Sequence, residues 1–168
     1  HPPNLEGLRV YESARLFVER ALRRTSAFVL TADTASAVAE ICQQLDGMPL
    51  AIELAAARVG ILAVGQISER LADSLELLTS GERTAMPRQQ TLRGTLDWSY
   101  DLLSEAEKRL FCQLSAFAGG WALEAAEAVG VCLEGESVLE LLGTLVDKSL
   151  VVVEVAEDGT VRYTLLEP

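Results

Sequence analysis

From Val10 to Arg24 the apolar positions recur at helical spacing, with Val10, Ala14, Phe17, Val18, Ala21 and Leu22 on one face and Glu12, Arg15, Glu19 and Arg23 on the other. This predicts an amphipathic helix that must pack on a neighbour. A second helix is predicted between Asp33-Thr34 as cap and Gly47 as stop, with Val38, Ile41, Cys42 and Leu45 as its stripe. Gly47-Met48-Pro49 then makes a tight junction, because Gly takes the left-handed cap conformation and Pro suits the first position of the next helix. That next helix, Pro49 to Val59, is apolar around most of its circumference, with only Glu53 and Arg58 charged, and is expected at the centre of a small bundle. Ile67 to Leu78 adds one or two short helical turns. Residues 79–89 are polar with Gly and Pro, and the domain boundary is placed there.

Leu92, Leu96, Tyr100 and Leu103 predict a helix from Thr91 to Leu103. Ser104-Glu105-Ala106-Glu107 has the form of a capping box and starts another, with Leu110, Phe111, Leu114 and Phe117 inward and Gly119-Gly120 as its end. An Ala-rich helix over Leu123 to Val129 and one from Ser137 to Lys148 follow. The period then changes: Leu150 to Val155 is β-branched, Val161 to Leu165 alternates, and Asp158-Gly159 between them signals a hairpin. Helices ending in a hairpin give the order of a winged helix, with residues 156–160 as the wing tip. The expected fold class is therefore mainly α: a small helical bundle (1–80), a linker (81–90) and a winged-helix domain with a C-terminal β-hairpin (91–168).

Composition narrows the chemistry. The chain has 168 residues, 49% apolar, without a run long enough to span a bilayer, and reads as a globular protein with a cytoplasmic location and no membrane partner. Its one histidine is His1, which removes His-based triads, His-ligated zinc and His phosphotransfer. Cys42, Cys112 and Cys132 form no CxxC pair and read as core thiols; no metal site is expected. The net charge is −11, and residues 101–168 hold 13 of the 25 acidic but only 4 of the 14 basic residues. Phosphate is bound through Lys and Arg, so this balance leads to the expectation of no direct nucleic-acid partner.

Three stretches go beyond periodicity: Ile41-Cys42-Gln43-Gln44-Leu45-Asp46-Gly47-Met48-Pro49-Leu50-Ala51-Ile52-Glu53-Leu54-Ala55-Ala56, then Thr91-Leu92-Arg93 with Trp98-Ser99-Tyr100-Asp101-Leu102-Leu103, then Leu145-Val146-Asp147-Lys148-Ser149-Leu150. In this order they resemble the STAND class of signalling ATPases, in particular the NB-ARC-like modules of bacterial transcriptional regulators of the AfsR and LuxR-like kinds. The resemblance covers essentially the whole chain and implies the helical and winged-helix domains that follow a P-loop core. No GxxxxGK[ST] occurs and no strand suits a Walker B position, so no catalytic residue is assigned and the chain is not expected to be an enzyme. ATPase activity, if present, belongs to the full-length protein.

The resemblance implies that Gly47, Met48, Pro49 and Leu50 contact the base of ATP or ADP held by a P-loop domain upstream in the same chain, and that activation exposes surfaces for homo-oligomerisation. It also implies a histidine that contacts phosphate on the last strand; here that position is Leu166, whose side chain cannot donate to a phosphate. The function expected is a regulatory arm of an ATP/ADP-switched protein. The alternative is a winged-helix DNA-binding or protein-interaction module without a nucleotide role. Trp98 and Tyr100 are expected in the winged-helix core or its seam with the bundle, and Arg88 and Arg93 in salt bridges.

Overall fold

The computed structural model describes residues 5–79, 87–130 and 135–166. Among the described residues, eight helices and one antiparallel hairpin fall into two units, His1–Asp101 and Leu102–Pro168.

In the first unit, α1 (Leu5–Arg24) and α2 (Ala32–Gln44) surround α3 (Pro49–Ala56), and α4 (Val64–Thr79) and α5 (Pro87–Asp101) complete the packing. The apolar circumference of α3 places Ala51, Ile52, Leu54, Ala55 and Ala56 in the core, with Phe17 and Ala21 of the α1 stripe, Val38 and Ile41 of α2 and its C-cap Leu45. The cap of α2 is Thr31 rather than Asp33-Thr34. The Thr31 and Thr34 side chains each bond the other residue's backbone N–H, a reciprocal box that puts the start two residues earlier. Instead of one or two short turns, residues 64–79 form one helix of 16 residues, because Val64, Ile67, Ser68 and Leu71 make a continuous buried stripe.

The junction after α2 is a Schellman turn. Asp46 and Gly47 both take left-handed conformations (φ 50 and 64), while the Gly47 and Asp46 N–H groups bond the carbonyls of Cys42 and Gln43. Pro49 then opens α3 with Met48 as its extended N-cap.

The expected linker, residues 81–90, lies mostly outside the described residues, and its last four residues open α5. α5 packs on α3 and α4, so the helix assigned by sequence to the winged-helix domain groups with the first unit. Its amphipathic spacing required a buried face without naming the element that buries it.

The second unit is a winged helix. Its helices are α6 (Glu105–Leu114), α7 (Leu123–Val129) and α8 (Val138–Asp147), and its wing is β1 (Val151–Val155) paired with β2 (Val161–Leu165). The capping box at the start of α6 is present: Ser104 Oγ accepts from the Glu107 N–H at 3.2 Å, and a Glu107 oxygen accepts from the Ser104 N–H at 2.7 Å. α6 ends at Leu114, earlier than the glycine pair suggested, and Phe117 beyond it stacks on Trp121 with centroids 5.6 Å apart. Trp121 is buried and adds a single bridge to β2, exchanging two 2.8 Å backbone bonds with Tyr163.

Leu110, Leu114, Leu141, Leu142, Leu145, Leu150 and Val151 fill the core under the hairpin. The wing runs in register from Val151 opposite Leu165 to Val155 opposite Val161, and Asp158-Gly159 turns it with Gly159 at φ 82.

Candidate functional site

The face of a winged helix that meets a partner is set by its third helix and its wing. α8 starts at Ser137, whose hydroxyl accepts from the Glu140 N–H at 3.4 Å. Leu141, Leu142 and Leu145 face the core, which leaves Glu136, Leu139, Glu140, Gly143, Thr144 and Asp147 on the outward side. Leu139 is 53% exposed. α8 contains no lysine or arginine. A groove of about 390 Å³ runs along its start, lined by Glu107, Gly135, Glu136, Ser137, Glu140, Leu141 and Thr144.

The cation at the C-cap of α8, Lys148, is turned inward. Its Nζ lies 2.6 Å from both carboxylate oxygens of Glu107, a residue only 6% exposed. Burial by itself would push the Glu107 carboxyl up; the bonds from Lys148 and the Ser104 N–H outweigh it and hold its pKa below the ordinary carboxylate value. The turn into β1 is again a Schellman motif, with Ser149 left-handed at φ 59 and the Leu150 and Ser149 N–H groups on the carbonyls of Leu145 and Val146.

Cations elsewhere in the unit are few. Arg109 on α6 and Arg162 on β2 are exposed, the latter donating to the Gly120 carbonyl at 2.6 Å. Lys108 is half-buried beside Glu105. At the wing tip the Thr160 hydroxyl and N–H hold the Asp158 carboxyl below its usual value.

The turn singled out for a nucleotide lies at the surface of the first unit. Gly47, Met48 and Leu50 are half-buried and Pro49 is exposed. Gly47 and Pro49 line an open groove of about 280 Å³ with Glu12, Ser13, Leu16 and Ile52; Met48 and Leu50 are not among its lining residues. A Cβ on Gly47 would come within 3.1 Å of Ser13 Oγ, so glycine here serves both the left-handed turn and the close approach of α1. Leu16 and Pro49 supply apolar surface, and among the described residues the lining includes no cation.

Leu166 is half-buried in the second unit, where its N–H bonds the Leu150 carbonyl at 3.2 Å. Trp98 is buried in the first unit, not in the winged helix, with the Arg58 guanidinium 6.0 Å from its ring. Arg93 lies 3.9 Å from Asp97, and the Arg88 side chain is outside the described residues. Cys42 is a core thiol, pushed by burial up to about 11; Cys112 is exposed instead, since it sits on the outer side of α6, and Cys132 lies outside the described residues. Sequence reading missed the inward role of Lys148 and the burial of Arg58, because both partners lie 41 residues away.

Residues 103–168 match the winged helix-turn-helix domain. Over 158 residues the chain is 49% identical to a Mycobacterium tuberculosis H37Rv protein named "Putative HTH-type transcriptional regulator", covering 93% of this chain and 18% of that one. A Mycobacterium bovis protein carrying the same description matches equally. An uncharacterized Mycobacterium tuberculosis protein is 45% identical over 158 residues, covering 92% of this chain and 40% of its own length. The chain thus spans about a fifth of the regulators it matches. These findings overturn the expectation of no nucleic-acid partner: that expectation rested on net charge, which governs long-range attraction and not the kind of module. They also lend no support to the P-loop domain expected upstream. Among the described residues, no helix is long and apolar enough to cross a membrane.

Proposed function

We propose that this chain is part of a transcriptional regulator and that its winged-helix unit contacts DNA, with α8 as the helix offered to the major groove. The observation that carries this reading is the α6–α7–α8–wing order together with the matching domain and an outward face of α8 on which Leu139 is exposed. With Lys148 withdrawn, Lys108, Arg109 and Arg162 are the cations the unit can bring to phosphates. Binding is accordingly weak and only mildly salt-dependent. Anisotropy of labelled duplex with the 168-residue chain tests it: log K should fall against log salt with a slope no steeper than about −3. Failure to bind any duplex at low salt sinks the reading.

A second reading concerns the first unit and is favoured by the exposed Gly47–Pro49 turn on an apolar groove. There the ring of Pro49, with Leu16, would hold a nucleotide base, ATP or ADP serving in the full-length protein, while the phosphates depend on other residues. Titration of the chain with adenosine and with ADP, followed by amide shifts, tests it: both should perturb Gly47 and Ile52 alike. Shifts confined to other residues count against it.

A further inference from the structure

Gly143 sits in the interior of α8 with a conformation that any residue adopts, and a Cβ built on it would meet nothing within 4 Å. Glycine in a helix interior destabilises it relative to alanine, and here neither a turn nor a neighbour within the unit requires it. What it leaves is a bare strip of backbone at the middle of the outward stripe, between Leu139 and Glu140 on one side and Thr144 and Asp147 on the other. Such a gap lets another surface approach the helix axis closely.

The groups around it have a defined chemistry. The Thr144 hydroxyl is used internally, donating to the Leu141 carbonyl at 2.7 Å, and Lys148 is held on Glu107. The common readout of guanine by Arg or Lys is therefore closed to this helix. Near its N-terminus, where recognition helices touch base edges, stand Leu139 and Glu140. An exposed leucine is a partner for the thymine methyl group, and a carboxylate accepts from the cytosine amino group, the donor this base pair shows in the major groove.

Resting on the DNA-contacting reading above, we infer that α8 reads a pyrimidine pair, with Leu139 on a thymine methyl and Glu140 on a cytosine N4 amino group, and that Gly143 allows the approach this requires. Helix, gap and readers lie on one face.

The test is selection of duplexes from a randomised pool by the whole chain at low salt, followed by affinities of the enriched duplex. The wild type should enrich adjacent thymine and cytosine on one strand. Replacing that thymine by deoxyuridine should weaken binding about fourfold, the worth of one buried methyl. Glu140→Gln should move the preference at the cytosine position towards adenine by about tenfold, a change that loss of structure cannot produce. Gly143→Ala should raise the thermal midpoint yet weaken binding about tenfold. Enrichment of duplexes that carry no adjacent thymine and cytosine on either strand, a Glu140→Gln variant with unchanged preference, or a Gly143→Ala variant that binds as the wild type overturns the inference while leaving DNA contact standing. Absence of binding to every duplex removes both, and capture of a Lys/Arg-rich peptide on this face instead would identify a protein as its occupant.

Discussion

Lys148 and Glu107 tie the C-terminal cap of α8 to the first turn of α6, with both carboxylate oxygens 2.6 Å from one ammonium group. Glu107 also returns to the Ser104 N–H, so one carboxylate caps the first helix and anchors the third.

Breaking a buried pair by removing one partner strands a charge, so Lys148→Met should cost about 3 kcal/mol in urea unfolding. The same pair predicts a pH dependence. Folding lowers the Glu107 pKa from its ordinary value of 4.5, so its contribution is complete above that value and is lost as pH falls through the lower folded-state value. The stability gap between wild type and Glu107→Gln should therefore be full at pH 7 and close in strong acid. A gap independent of pH would show that the carboxylate charge contributes nothing.

Ser149 holds a left-handed conformation between α8 and β1 that favours glycine. Ser149→Gly should raise stability by up to about 1 kcal/mol without moving the hairpin. A lowered thermal midpoint would mean that the Ser149 side chain makes a contact worth more than the backbone strain.

Local signals were legible in the sequence and non-local ones were not. Ser104 and Glu107 lie three residues apart, and Asp158-Gly159 sits inside its own turn, so cap and wing could be read directly. The pairing of Lys148 with Glu107 joins residues 41 apart, and nothing in either segment announces it. The choice of α3 and α4 as partners for α5 is of the same kind, since periodicity gives a buried face without its complement. At the candidate interface the acid excess is plain from composition, whereas the open space beside Gly143 depends on what packs around α8 and has no local signal.

Gly130 caps α7, and a Cβ there would lie 2.5 Å from Cγ2 of Val138 at the start of α8. Valine is stiff at χ1 and cannot swing away cheaply. Gly130→Ala should cost about 2 kcal/mol, by overpacking, and Val138→Ala should relieve most of it in the double variant. Additive losses in that cycle would place the strain in the backbone instead.

Arg58 is 1% exposed, and its Nη2 donates to the Ser99 carbonyl at 2.9 Å while the guanidinium lies over Trp98. Ser99 belongs to the last turn of α5, where carbonyls lack partners within the helix and the dipole is negative. A single side chain from beyond the end of α3 thus caps α5 and fills the space beneath its tryptophan. Arg58→Ala removes both functions and should cost about 3–4 kcal/mol. Arg58→Met keeps most of the volume without the charge and should recover part of that loss, whereas Arg58→Lys keeps the charge without the planar fork and should recover less. Urea unfolding followed by tryptophan fluorescence distinguishes the three. Equal stability of Arg58→Met and wild type would show that the carbonyl needs no cation and that packing alone holds α5.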